Sequence, residues 1–192
     1  MTSLILASCS RYRAELLSRL RLPFEQDGAE VDETPQIQET AQKLAPRLAR
    51  TKAETVSARH PDRWVLGSDQ AASCMGRLLG KPLSRDAACA QLAWMSGRRA
   101  AFVTALALVR ADMPRPLTDM DVTVVRLRRL SAAEIERYVD AEPALDCAGS
   151  FKMEGLGITL FDEIQSRDPT GLIGLPLIAT ARLLRKAGFE LP

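Results

Sequence analysis

An α/β fold with a mixed sheet is the architecture this sequence predicts, and three observations predict it. Short apolar runs of strand type recur at Leu4-Ile5-Leu6-Ala7, Trp64-Val65-Leu66, 102–110 and 121–127. Between them, apolar residues repeat at helical spacing, as in Leu44, Ala45, Leu48, Ala49, Ala53 and Val56. The two patterns alternate along the chain instead of segregating, which favours a sheet flanked by helices. At 192 residues, 46% apolar and 26% charged, the chain can bury a sizeable core.

Charge and cysteine usage exclude several classes. Twenty-six basic and 24 acidic residues leave a formal net charge of +2, with no nucleic-acid-binding tail and no polybasic membrane patch. The four cysteines form no CxxC pair, and His60 is the one histidine, so a Cys/His zinc site has little material. Reduced thiols in a cytoplasmic protein are expected. The start lacks a basic n-region, and no apolar segment approaches the ~20 residues of a membrane span.

Taken in order, Leu4-Ile5-Leu6-Ala7 is a buried strand that breaks at Ser8-Cys9-Ser10. Leu16, Leu17 and Leu20 then predict a helix over 11–21, with Arg11 and Arg13 in its first turn. Arginines sit poorly at the positive end of a helix unless an anion binds there, so this turn is either an anion cradle or an ordinary serine cap with solvated arginines. A connector over 23–29 leads to Glu30-Val31-Asp32-Glu33-Thr34-Pro35, a solvated acidic loop or a source of oxygen ligands for a divalent ion. The next helix, 40–58, carries Lys52 at the edge of its apolar face.

The run Trp64-Val65-Leu66 ends in Gly67-Ser68 and delivers a carboxylate at Asp69; Gly80-Lys81-Pro82 then offers a lysine. This pair is either a phosphate-and-metal site or a cap aspartate with a turn lysine. Ser84 caps a helix through about Met95, ended by Ser96-Gly97. Strands follow at 102–110 and 121–127, then a capping box, Ser131 to Glu134, opens a helix to about Ala141. A small-residue segment, 146–157, leads into a strand at 158–161. Gly155-Leu156-Gly157 lacks the third glycine of a dinucleotide fingerprint and gives backbone room only. Pro176 takes a first-turn position in the last helix, which ends near Gly188.

No P-loop, HExxH or GxSxG pattern is present. Four stretches instead combine hydroxyls, arginines, lysines and carboxylates, a set suited to phosphoanhydride hydrolysis by a metal-held water. The stretches Leu6 to Arg13, Glu30 to Glu33, Arg47 to Ala53, Gly67 to Gln70, Gly80 to Pro82 and Gly174 to Pro176 resemble the Maf family of nucleoside triphosphate pyrophosphatases, in the family's order and across nearly the whole chain. Gln70 with 150–155 resembles the branch that hydrolyses 7-methyl-GTP. Arg11 departs from the family turn, which usually continues with proline.

The resemblance implies a single domain over 1–192, with a strongly bent mixed sheet, flanking helices and a cleft between two lobes. It implies a divalent cation (Mg²⁺, Mn²⁺ or Co²⁺), a nucleoside triphosphate substrate, release of diphosphate and a homodimer. Asp69 would accept the proton of the attacking water. Ser8, Arg13, Lys52 and Lys81 would hold the triphosphate, Glu33 would help Asp69 hold the metal, and Tyr12, Gln70 and Glu154 would set specificity. N7-methylguanine is cationic, so Tyr12 could stack on it with ~0.5–2 kcal/mol of cation–π attraction, and Glu154 could offset its charge. Two alternatives stand beside this reading: a family pyrophosphatase for dTTP/UTP or dITP/XTP, and a nucleotide-binding regulator of cell division without turnover.

Overall fold

The structure is a computed structural model describing residues 3–192. The chain divides into two compact units. One comprises Met1–Gln70, Val103–Asp121 and Asp168–Pro192; the other comprises Ala71–Phe102 and Val122–Arg167. A seven-stranded sheet runs in the order β2-β1-β3-β5-β6-β7, where β5 is Arg99–Val109, with β4 paired to β3. Strand β1 (Leu4–Leu6) lies parallel to β2 (Phe24–Gln26) and to β3 (Trp64–Cys74), while β4 (Arg77–Leu79) is antiparallel to β3. Strand β7 (Phe161–Gln165) is antiparallel to β6 (Leu117–Leu127), so the sheet is mixed, as the alternating pattern predicts.

In the first unit, side-chain alternation sorts the strands' two faces. Leu4, Leu6, Trp64, Leu66, Leu106 and Leu108 meet Leu16 and Leu17 of α1 (Arg11–Ser18) and Ala179, Leu183 and Leu184 of α5 (Leu177–Lys186) in one buried cluster. Helix α2 (Ala41–Ser57) covers the other face of β3. There a Cβ on Gly67 would collide with the Ala49 carbonyl and lie 2.8 Å from the Ala53 methyl. The side chain of Asp168 accepts from the backbone N–H of Ile178 at 2.6 Å, and Thr170 Oγ1 accepts from Leu177 N–H at 2.8 Å. These acceptors satisfy the start of α5, where Pro176 is the cap residue, one position before the expected first turn.

In the second unit, α3 (Arg85–Met95) begins at Ser84, whose side chain accepts from Ala87 N–H, and stops before Gly97 at φ +69°. Helix α4 (Ala132–Ala141) carries the full capping box between Ser131 and Glu134. Phe102, Phe151 and Phe161 pack edge to face, with centroids 5.3 and 4.8 Å apart.

Four expectations need correction. Phe24–Gln26, expected as connector, is an edge strand; its half-exposed, polar sequence gives no apolar run to announce it. Strand β3 does not stop at Gly67-Ser68 but continues to Cys74, because Gly67 serves close approach to α2 and not a turn. Ile158 and Thr159 belong to a 3₁₀ helix, Leu156–Leu160, where the Thr159 hydroxyl donates to the Leu156 carbonyl; the strand follows it. Helix α1 ends at Ser18 and not at Arg21, whose φ of +56° is not helical.

Candidate active site

Strand β3 and helix α2 build the centre. With Gly67 against Ala49 and Ala53, the strand approaches α2 closely, and two residues on, the same face carries Asp69. One turn along α2 from Leu48, Lys52 is buried and reaches it: Nζ lies 2.6 Å from Asp69 Oδ1 and 2.6 Å from Glu33 Oε1. One ammonium thus joins a strand carboxylate to a loop carboxylate. Lysine has three donors, so one N–H remains for a phosphate oxygen. Asp69 Oδ2 accepts no bond among the described residues and is not sealed from solvent, which leaves it open to a water. Burial raises the Asp69 pKa above the usual 3.8, outweighing the opposing pull of Lys52 and Arg13.

The turn between β1 and α1 stands beside this pair electrostatically. Ser8 Oγ accepts from Ser10 N–H at 3.2 Å and from Arg13 Nη1 at 3.3 Å, so its own hydrogen can serve an anion. Ser10 caps α1 by accepting from Arg13 N–H. Arg13 Nε donates to the Gly174 carbonyl at 3.0 Å, and the buried Ser68 hydroxyl donates to the same carbonyl at 3.1 Å. Burial lowers the Arg13 pKa, and the charges of Asp69 and Glu33 oppose it. Serine cap and half-buried guanidinium coexist here, so the cap reading and the anion reading are compatible.

The loop that carries Glu33 is fastened by Arg47 of α2. Its Nε donates to Glu39 Oε1 at 2.7 Å, and Nη2 donates to Glu39 Oε2 at 2.8 Å and to the Thr34 carbonyl at 3.1 Å. Arg47 and the backbone N–H of Gln36 hold the Glu39 carboxyl down at about 2. Sequence reading includes Arg47 in a motif without giving it a task. Ser68 and Gly174 stand in motifs in the same way and Thr104 stands in none, since their partners are far along the chain.

The remaining site residues fall as follows. Tyr12, half-buried, has the Arg11 guanidinium 4.8 Å from its ring centroid, and Arg11 Nη2 donates to its hydroxyl at 2.9 Å. Gln70 directs its amide nitrogen to Thr104 and to the backbone at 171–172. Lys81 and Glu154 belong to the second unit, both exposed: Lys81 just after β4, Glu154 in a turn at 153–155. The structure therefore brings together Ser8, Arg13, Glu33, Lys52 and Asp69 within the first unit. Among the described residues, no group of three or more His, Cys, Asp and Glu side chains is arranged to hold a metal ion. No helix of the described residues is long and apolar enough to cross a membrane.

The Maf-like protein family matches residues 3–187. A 7-methyl-GTP pyrophosphatase of Xanthomonas oryzae pv. oryzae is 60% identical over 192 residues, all of both chains. One from Xanthomonas axonopodis pv. citri is 57% identical, also over all of both chains. The 7-methyl-GTP pyrophosphatase of Pseudomonas aeruginosa is 46% identical over the full length of each. With the family matched across almost the whole chain and relatives aligned end to end, this chain belongs to the Maf family.

Proposed function

We propose that the chain hydrolyses 7-methyl-GTP to 7-methyl-GMP and diphosphate. The observation that carries the chemistry is the Lys52 ammonium, held at 2.6 Å from both Asp69 and Glu33 beside the Ser8–Arg13 turn. Water attacks the α-phosphorus as its proton passes to Asp69. The bond from that phosphorus to the bridging oxygen breaks, and diphosphate leaves with the electron pair. Burial raises the Asp69 pKa, which makes it a stronger base than a surface aspartate. The remaining Lys52 hydrogen, the Ser8 hydroxyl and the unbonded edge of Arg13 meet phosphate oxygens and offset the charge that grows on the leaving group. The resemblance alone gives Lys81 a phosphate role and Glu154 a base role; both belong to the second unit.

The residues fit a hard divalent cation. Magnesium is commonly held by one or two carboxylates with substrate phosphates and water completing its shell, and Glu33 and Asp69 form such a pair. When bound, the cation would polarise the phosphate and favour hydroxide at the nucleophile.

The choice of base rests on the names of the full-length relatives and on Tyr12, whose ring already takes a guanidinium against its face. A cationic 7-methylguanine ring suits the same surface. Diphosphate release is to be measured for 7-methyl-GTP, GTP, dTTP, UTP, dITP and XTP with Mg²⁺, Mn²⁺ or Co²⁺. The expected result is fastest turnover of 7-methyl-GTP, with a metal required. Preference for dTTP or UTP would reject the substrate and keep the reaction; nucleotide binding with no product would reject both.

A further inference from the structure

Gln91 of α3 joins two segments of the second unit, the turn that carries Lys81 and the stretch that leads to Glu154. Its Nε2 donates to the Gly80 carbonyl at 3.1 Å, and its Oε1 accepts from the Ser150 hydroxyl at 2.6 Å. A carbonyl can only accept, so the amide nitrogen faces Gly80, and that choice turns the oxygen to Ser150. One amide is used at both ends.

The Gly80 carbonyl belongs to the peptide that leads into Lys81. A Cβ on Gly80 would meet nothing within 4 Å, so space there is open and the Gln91 bond limits how this peptide turns. Beyond Lys81 the chain is fastened at Leu83, whose N–H donates to the Leu145 carbonyl at 3.1 Å. At the other end, Ser150 is buried and has φ +61°, a left-handed conformation that a non-glycine residue keeps only where its surroundings enforce it. Gln91 gives its buried hydroxyl a partner. Phe151 then packs edge to face on Phe102 and on Phe161, and Lys152 N–H donates to the Tyr138 hydroxyl at 3.1 Å. Glu154 follows two residues later, from a fixed start.

We infer that Gln91 is a positioning residue for the nucleotide reaction, one that sets the Lys81 turn and the approach to Glu154 together. Through it, a single side chain serves both the phosphate contact and the base contact. The inference rests on the roles proposed above for Lys81 and Glu154, and deepens them by making the two interdependent.

The test compares the wild-type chain with Gln91→Met, Ser150→Ala and the double variant. Methionine keeps the size of Gln91 and removes both bonds, whereas Ser150→Ala removes one and leaves the Gly80 bond in place. Affinities for tripolyphosphate, GTP and 7-methyl-GTP are measured by calorimetry without added metal. Tripolyphosphate reads the phosphate hold alone, and the ratio of 7-methyl-GTP to GTP reads the base choice. Gln91→Met should weaken tripolyphosphate about fivefold and reduce the ratio about fivefold. Ser150→Ala should reduce the ratio by a similar factor and leave tripolyphosphate within about twofold of the wild type. The double variant should lose no more of the ratio than Gln91→Met, because the bond it removes is already broken. Amide exchange should quicken at Lys81 in Gln91→Met alone, and at 151–155 in both single variants. Unchanged affinities in Gln91→Met, or equal losses of all three ligands in both single variants, would overturn the inference. A wild type that binds 7-methyl-GTP and GTP alike would reject the substrate reading; the tripolyphosphate loss and the exchange pattern would then decide the role of Gln91.

Discussion

Lys52 Nζ lies 2.6 Å from Asp69 Oδ1, and the two side chains are only 10% and 9% exposed. Two charges this far from water are held by each other, with Glu33 as second partner to the lysine. Replacing Lys52 by Met should leave a buried carboxylate without its counter-ion. A loss of about 2–4 kcal/mol in unfolding free energy is expected, read from urea melts. Turnover should fall at least ~100-fold, since a phosphate donor goes with it. A variant as stable and active as the parent would show the pair to be ornamental.

The pH dependence follows from the direction of the Asp69 shift. Its pKa is raised by burial, so the unprotonated base is lost, as pH falls, above the ordinary value of 3.8. The acid limb of kcat should therefore lie above that value, and Asp69→Asn should abolish turnover while largely retaining nucleotide binding. The sign for stability is the reverse of an ordinary salt-bridged carboxylate. A raised folded-state pKa contributes stability that is full below the unfolded pKa and is lost as pH rises through the folded one.

Gly67 separates a packing role from a hinge role. An alanine there would press its methyl into the Ala49 carbonyl and against Ala53, forcing α2 away from β3 and Lys52 away from Asp69. Gly67→Ala should lose about 1–3 kcal/mol of stability together with activity. At Gly80 a Cβ meets nothing within 4 Å, so Gly80→Ala should change the urea midpoint by no more than about 0.5 kcal/mol equivalent.

These glycines also mark how far the sequence could be read. Gly67 before Ser68 has the signature of a strand end, and only the proximity of Ala49 and Ala53 reveals a contact position. Asp69 and Lys52 were legible because carboxylate and lysine sit on a strand and on a helix edge whose periodicity is clear. The capping box at Ser131 and Glu134 was legible because both halves of it are local. Gln70 was legible as a candidate but its partners were not, because Thr104, Gly171 and Leu172 lie 34 to 102 residues away. Phe24–Gln26 escaped notice because a short, polar edge strand carries no hydrophobic pattern.

Arg47 is expected to act on the metal through the loop it fastens. Arg47→Ala removes the hold on Glu39 and on the Thr34 carbonyl, next to Glu33. The concentration of Mg²⁺ giving half-maximal turnover should rise about 10- to 100-fold, with a smaller change in the saturated rate. A fall in saturated rate with unchanged metal dependence would place Arg47 outside this role.

The position of attack is the central claim, and oxygen-18 water tests it directly. With Asp69 activating water at the α-phosphorus, hydrolysis of 7-methyl-GTP in labelled water should place one oxygen-18 in 7-methyl-GMP and none in diphosphate, as read by mass spectrometry. Label in the diphosphate, or release of inorganic phosphate in its place, would contradict the account.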